Sequence, residues 1–519
     1  MQHYDVTDNH SLNACCRDVH QANNIFLMDR FIESRRDFLK TTGLAAGAVL
    51  FSPKNVFAAG AESAADYTIH IKVAPIEIAP NQILSTTTYN GQFPGPLIRL
   101  QEGREVTVDI FNETDTPEQL HWHGQKVSTE VDGSAEEGTP YIPAHGKRRI
   151  RFTPNPAGLR FYHTHRRAGA NLSAGLYSGQ VGAVYIEPKE NPGRYDREVF
   201  LVLKEFEPTL VRAEEMTEDI PSPAGTDPLL KEADEKAERM SAMGGRSHGY
   251  EVVYRFFTIN GSMLGHGEPI RVKQGERVLF HILNGSATET RRLALPQHLF
   301  EVIALDGNPV PTPMPVPSLW LGAAERISAV VEMNHPGVWV MGDLADEDLR
   351  RGMGIVVEYA GRSGKAQWKA PLRPLPWSYL PFGKRLPQAP SPDETIEMTF
   401  TEDAAAEEGF NRWTINGVAY AMSNEMVPAS FHLKQGKRYR IRMRNASDDI
   451  HPIHLHRHSF ELTKLAGVST AGIMKDVVNL GVHQIYEIDF VADNPGLTLF
   501  HCHQQMHMDF GFMTLFDYV

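Results

Sequence analysis

One pattern recurs three times along this 519-residue chain, and it constrains the fold more than any other feature. Thr88-Tyr89-Asn90-Gly91-Gln92 leads into Leu97 to Val108; Thr258-Ile259-Asn260-Gly261-Ser262 leads into Ile270 to Val278; Thr414-Ile415-Asn416-Gly417-Val418 leads into Phe431 to Tyr439. Each unit reads as an Asn-Gly turn, an alternating strand, a Gly turn and a second alternating strand. Each copy also closes alike, with Pro156-Ala157-Gly158, Pro336-Gly337 or Pro495-Gly496 opening an apolar run. Alternation gives a strand one apolar face, and such faces are buried by stacking sheet on sheet. The pattern predicts an all-β chain of three tandem β-sandwich domains. Turn-rich breaks place them at residues 62–190, 191–370 and 371–519, the last opening with a Pro-rich linker. Residues 208–248 interrupt the pattern and are expected to be an insertion or flexible surface segment, helix-prone from Leu229 to Met240. Its Met216, Met240 and Met243 are soft enough to bind cuprous ion, although ordinary helix-face packing accounts for them better.

Residues 1–61 read as an N-terminal extension and leader. Ser34-Arg35-Arg36-Asp37-Phe38-Leu39-Lys40 resembles the twin-arginine export motif, followed by an apolar run from Leu44 to Phe51 that is too short for a stable membrane anchor. Val56-Phe57-Ala58 suits signal-peptidase cleavage. The expected route is export of the folded protein by the twin-arginine machinery, to a periplasmic or secreted location. Met28 stands just before this pattern, so Met28 rather than Met1 is the expected start, which would remove Cys15 and Cys16. Cys502 is then the sole cysteine, too few for an intrachain disulfide framework. A net charge of −13 argues against a nucleic-acid partner, whose footprint is basic.

Many of the 23 histidines fall into clusters. Four His-x-His pairs occur, His121/His123, His163/His165, His454/His456 and His501/His503; in a strand each pair presents two imidazoles on one face. Corresponding places in the middle domain read Leu293-Ala294-Leu295 and Met341-Gly342-Asp343, so the sandwich itself does not need the histidines. Eight converging imidazoles suit copper, whereas structural zinc prefers four ligands with several thiolates. Cys502, His507 and His451 remain as a His₂Cys set, that of a blue-copper electron-transfer centre. Cys502 would face one side of its strand while His501 and His503 face the other.

In chain order, His121-Trp122-His123-Gly124, His163-Thr164-His165, His451-Pro452-Ile453-His454-Leu455-His456 and His501-Cys502-His503 with His507 resemble the four signature segments of multicopper oxidases. The likeness spans the whole expected mature chain. It implies three cupredoxin-like Greek-key domains and four copper ions. By this resemblance His451, Cys502 and His507 hold the type 1 ion, His121 and His454 the type 2 ion, and His123, His163, His165, His456, His501 and His503 the type 3 pair. The cluster of three would lie between the first and third domains. His507, near the surface, would take electrons from substrate, Cys502 would pass them on, and dioxygen would be reduced to water.

Two departures sharpen the expectation. Ten residues beyond Cys502, at the family's axial position, stands Phe512 rather than Met. Without a thioether, the type 1 site is expected to have a relatively high potential, as in fungal laccases. The adjacent Met513 should turn away by strand alternation. Copper-efflux oxidases and spore-coat laccases carry a Glu directly after the second type 1 His, where this chain has Met508. Asp132, in Val131-Asp132-Gly133, matches the acidic residue that multicopper oxidases place near the three-copper site after His-Trp-His-Gly; the resemblance implies it as the main proton relay, with a structural Asx-turn as the alternative and Asp509 as a lesser contributor. The expected activity is laccase-like, oxidising small aromatic reductants (phenols and aromatic amines). The alternative is a cuprous-ion oxidase for periplasmic copper tolerance, kept open by Met506 and Met508 beside His507. Non-enzymatic structural relatives have lost these ligands, and all eleven stand here.

Overall fold

The computed structural model describes residues 64–189, 194–212, 249–371, 377–385, 390–421 and 429–519. The expected leader, Cys15, Cys16, Met216, Met240 and Met243 lie outside them. The described chain forms six sheets in three consecutive pairs. In the first pair, strands Gln82–Tyr89, Tyr67–Ala79, Val106–Asn112 and Lys147–Phe152 face strands Gly95–Gln101, Val181–Glu187, Gly158–His163 and His121–His123. Ile69, Ile71, Val108 and Ile110 from one sheet and Ile98, Trp122, Tyr162 and Val184 from the other form its core. Burial alternates along Tyr67–Ala79 and Gly95–Gln101, whereas Gly158–His163 and Val181–Glu187 are buried on both faces.

The middle and third pairs share one strand order. Their six-stranded sheets run Tyr250–Ile259, Arg197–Arg212, Arg277–Asn284, Arg326–Glu332, Phe300–Leu305, Asn308–Val316 and, in parallel, Phe410–Ile415, Glu394–Glu407, Arg438–Asn445, Ile485–Val491, Phe460–Leu465, Val468–Lys475. Their five-stranded sheets run Ile270–Val272, Gly354–Tyr359, Val338–Asp343, Arg291–Ala294, Ser318–Leu321 and Phe431–Leu433, Met513–Tyr518, Thr498–Cys502, His451–Leu455, Val477–Leu480. The architecture is three tandem cupredoxin-like sandwiches. One continuous apolar cluster contains Phe161, Phe280 and Phe500, so all three contribute to a common interior.

The repeated Asn-Gly is a clamp as well as a turn. Asn90, Asn260 and Asn416 have φ of 57°, 52° and 54°, and each is followed by a glycine with φ above 70°. Two successive positive φ values are what a tight primed turn needs. Each asparagine also accepts from a neighbouring strand, His70 N at 2.6 Å, Val202 N at 2.8 Å and Thr399 N at 2.8 Å. The two strands around each following Gly turn do not pair; they lie in opposite sheets of their sandwich.

One expectation is corrected. The segment read as an insertion from 208 begins as strand, since Pro208 to Arg212 continue Arg197–Arg212 and pair antiparallel with Tyr250 to Tyr254. Long-range pairing overrides the weak local signal of Pro208. Residues 213–248 lie outside the described residues.

Candidate metal centre

Strand His121–His123 pairs with Gly158–His163 so that His121 lies opposite His163. His121 and His123 share a face, and Trp122 turns the other way into the sandwich core. In the third sandwich, His451–Leu455 pairs with Thr498–Cys502, with His454 opposite His501 and Ile453 opposite Cys502. These edges bring the eight paired histidines together in buried groups. His123, His163 and His503 form one; His165, His456 and His501 form another; His121 and His454 meet with His123 in a third, ligand atoms within 4.8 Å of one another in each. His451, Cys502 and His507 converge separately by the same measure. Cys502 and its two flanking histidines thus serve different groups on either side of one strand.

Each tautomer follows from what the other ring nitrogen does. The Nδ1–H of His163, His454 and His501 donates to the carbonyls of Thr164, Asp476 and Cys502, at 2.8, 2.6 and 2.8 Å. His456 Nδ1 donates to Asp132 Oδ2 at 3.0 Å, and His123 Nε2 to Asp476 Oδ1 at 3.1 Å. The remaining nitrogens carry lone pairs, and these face one another. His456 Nε2 stands 3.0 Å from His501 Nε2, and His123 Nδ1 stands 3.3 Å from His163 Nε2. In the Cys502 group, His451 Nε2 donates to Ser447 Oγ at 2.8 Å, leaving its Nδ1 3.2 Å from His507 Nδ1 and 3.8 Å from Cys502 Sγ.

Burial holds the imidazoles of His123, His163, His451, His454, His456 and His503 well below the ordinary histidine range, and pushes His501 and His507 down to about 3. Neighbouring imidazoles push most of them further the same way. Burial pushes the Cys502 thiol up. The rings are therefore neutral and nucleophilic, as metal ligands must be.

Three sequence profiles described as multicopper oxidase match residues 71–191, 227–354 and 389–519. Multicopper oxidase MmcO of Mycobacterium tuberculosis is 29% identical over 96% of this chain and 98% of its own. The chain belongs to the multicopper oxidase family. Laccase-2 of Fomitopsis schrenkii is 24% identical over 83% of this chain and 87% of its own. A multi-copper oxidase from Pseudomonas thermotolerans has a solved structure with TM-score 0.64 and 25% identity, covering 88% of this chain and all of that one.

Membership implies copper, and the donor set of this oxidase fits it. Two lone-pair nitrogens facing at 3.0 Å repel unless a cation lies near both. His121 Nε2, His454 Nε2 and both ring nitrogens of His503 are buried without a hydrogen-bond partner, a costly arrangement unless they are ligands. Imidazole and thiolate together match copper's preferences.

The structure also places residues that the sequence had suggested only loosely or not at all. Asp132 is fully buried, with Oδ2 at 3.0 Å from both His121 Nδ1 and His456 Nδ1. Burial opposes its charge, but these two imidazoles prevail and hold its carboxyl well below the usual range. Glu137 lies beside it: Oε1 accepts from Leu499 N at 2.6 Å, and Oε2 is 3.8 Å from His456 Nδ1. Burial, reinforced by the Asp132 charge, pushes Glu137 well above the usual range. The Glu136-Glu137 run soon after Asp132 was its available signal.

Phe512 is fully buried, with its ring 4.8 Å from that of His451, while Met513 packs in a different cluster with Met508 and Leu515. Met506 and Met508 are both buried in apolar clusters. Asp509 accepts from Ala168 N and Gly169 N at 2.8 and 2.7 Å, and burial pushes it to about 7. His507, expected near the surface, is 2% exposed. Trp413 stacks on it at 4.0 Å between ring centroids, and nothing in the spacing of Trp413-Thr414-Ile415-Asn416 signals that contact. Ser447 was legible in principle: Asn112-x-Thr114, Asn284-x-Ser286 and Asn445-x-Ser447 repeat, each Asn Oδ1 accepting the backbone N–H two residues on.

Proposed function

We propose that this oxidase couples one-electron oxidation of phenols and aromatic amines, in laccase fashion, to four-electron reduction of dioxygen to water. The observation that carries the reading is Cys502: its sulfur belongs to one convergent group, and the next residues on either side, His501 and His503, belong to two others. In this reading His451, Cys502 and His507 hold a type 1 copper, His121 and His454 a type 2 copper, and the remaining six histidines of the pairs a type 3 pair, four ions in all. Copper, when bound, supplies reversible one-electron storage at the thiolate and, at the histidine cluster, the reducing equivalents that dioxygen requires. Cys502 provides an unbroken covalent path from Sγ through the backbone to both flanking imidazoles. Trp413, stacked on His507, excludes water from that ring's face. Asp132 holds a negative charge at Oδ2 against the Nδ1 atoms of His121 and His456, and neutral Glu137 holds a proton on Oε2, the two forming a proton relay to the cluster.

Phe512 in place of a thioether supports a high-potential site suited to phenols. The burial of Met506 and Met508 in apolar clusters leaves fewer exposed thioethers for the alternative, oxidation of cuprous ion. Export by the twin-arginine machinery to the periplasm or beyond belongs to the same proposal and rests on the leader sequence. Steady-state oxidation of a phenol, measured beside Cu(I) with oxygen uptake recorded, tests the substrate class. Rapid phenol turnover is expected; fast Cu(I) turnover with negligible phenol turnover would sink the laccase reading.

A further inference from the structure

The middle sandwich contributes none of the converging histidines, yet its Arg326 reaches a residue on which two of them depend. Arg326 is fully buried at the start of strand Arg326–Glu332. It donates to both carboxylate oxygens of Asp476, Nη1 to Oδ1 at 2.6 Å and Nη2 to Oδ2 at 2.5 Å. A guanidinium fork fixes the plane of a carboxylate, as a single ammonium cannot. Asp476 in turn faces the cluster with two different groups. Oδ1 accepts from His123 Nε2 at 3.1 Å, and the main-chain carbonyl accepts from His454 Nδ1 at 2.6 Å. These bonds select opposite tautomers, leaving the lone pair on Nδ1 of His123 but on Nε2 of His454. The two rings stack at 3.8 Å, nearly parallel.

Gly124, the last residue of the His-Trp-His-Gly segment, records the same contact. Its φ is +76°, and a Cβ there would stand 2.6 Å from Asp476 Oδ2 and 2.8 Å from Arg326 Nη2. A side chain at this position would push the ion pair away from His123. Arg326 is itself held by the carbonyls of Ala324 and Asp306, at 3.0 and 3.2 Å. Arg160 of the first sandwich adds a 3.4 Å contact to Asp476, and Lys475 bridges Asp306 and Glu325 at 2.9 and 3.0 Å. Three buried cations therefore face three buried anions, and a set matched in this way avoids stranding a charge in the interior.

We propose that the middle sandwich is the positioning element of the histidine cluster: Arg326, by gripping Asp476, sets which nitrogen His123 and His454 offer to the metal. The inference rests on the copper reading above. Arg326 touches no ligand, so it is a positioning residue, and its loss should be felt as metal affinity and ligand geometry.

The test uses Arg326→Lys, which keeps the charge without the fork, and Asp476→Asn, which keeps the shape without the charge. Each copper-loaded variant, beside the unaltered protein, is titrated with a competing chelator. Copper per chain, the Cys502-to-copper absorption and the type 2 electron paramagnetic resonance spectrum are followed together. Both variants are expected to release the cluster's copper at about 10–100-fold lower chelator concentration. The type 2 spectrum should change while the Cys502 absorption persists. Release curves and type 2 spectra matching the unaltered protein in both variants would overturn the proposal. Loss of the Cys502 absorption in step with the cluster in both variants would also overturn it, because that pattern marks general misfolding. If one variant fails to fold, the other decides by the same criteria. An unaltered protein that binds copper at Cys502 alone would refute the copper assignment of the cluster, and the positioning role with it; that failure is told apart because it appears before any substitution.

Discussion

In the middle sandwich, strands Arg291–Ala294 and Val338–Asp343 stand where His451–Leu455 and Thr498–Cys502 stand in the third. Gly342 lies opposite Ala294 as His501 lies opposite His454. This register moves the expected correspondence by one residue: Gly342 takes the place of His501 and Asp343 that of Cys502. Both slots are fully enclosed. Asp343 accepts from Arg292 N at 3.2 Å and Ala345 N at 2.9 Å, yet burial still raises it to about 6. Burial raises the Cys502 thiol in the same way. The slot disfavours a bare anion in either sandwich; only the third surrounds it with imidazoles able to share a metal. The middle copy reaches the third sandwich from its other sheet, where Asp306, Glu325 and Arg326, beside strands Phe300–Leu305 and Arg326–Glu332, meet Lys475 and Asp476.

The comparison breaks most sharply at the equivalent slot. Cys502→Ser should abolish the thiolate absorption and reduce phenol oxidation to background, while Asp343→Asn should leave copper content and turnover unchanged; equal losses in both would deny that the slots have diverged. Next in size is the buried ion pair. Arg326→Met, leaving Asp476 with only the longer 3.4 Å contact to Arg160 as a cationic partner, should lower the unfolding free energy by about 3–5 kcal/mol in denaturant titration of the copper-free protein. The half-exposed pair Arg412–Asp403, at 2.7 Å, should contribute only about 0–1 kcal/mol when Arg412 is changed to Ala.

Asp132→Asn should slow reoxidation of the reduced enzyme by dioxygen about 10–100-fold in stopped flow, with the Cys502 absorption unaltered; full-speed reoxidation would remove Asp132 from the relay. Phe512→Met should lower the Cys502-site potential by tens of millivolts in a redox titration, where about 59 mV is a tenfold change in a one-electron equilibrium. An unchanged or raised potential would contradict the axial argument.

The last effect concerns pH. Because Asp343 binds its proton more tightly folded, at about 6, than unfolded, its contribution to stability is present at acid pH. That contribution is lost as pH rises from about 4 through 6, on the order of 1–3 kcal/mol, since each tenfold change in proton affinity is about 1.4 kcal/mol. Asp343→Asn should flatten the stability curve in that window.

The sandwiches were legible because their determinants are local. An Asn-Gly pair enforces two positive φ values wherever it occurs, and strict alternation commits a strand to one buried face. The ligand types were legible for a related reason: i and i+2 on a strand share a face whatever the strand packs against. Residues 208–212 were read as the start of an insertion because their place in strand Arg197–Arg212 depends on pairing with Tyr250 to Tyr254 across a long sequence gap. Trp413 over His507 was not visible, since aromatic stacking between distant strands leaves no spacing behind.

By itself, then, the sequence determined three repeated sandwiches, eleven clustered donor side chains and a middle copy without them, because backbone conformation and strand alternation act over a few residues. Only the tertiary structure decided which nitrogen each histidine presents and what holds it there. His123 and Asp476 are 353 positions apart, and Arg326 and Asp476 are 150. Their meeting is a consequence of how three sandwiches share one interior, where a buried charge must find its partner or be costly to keep.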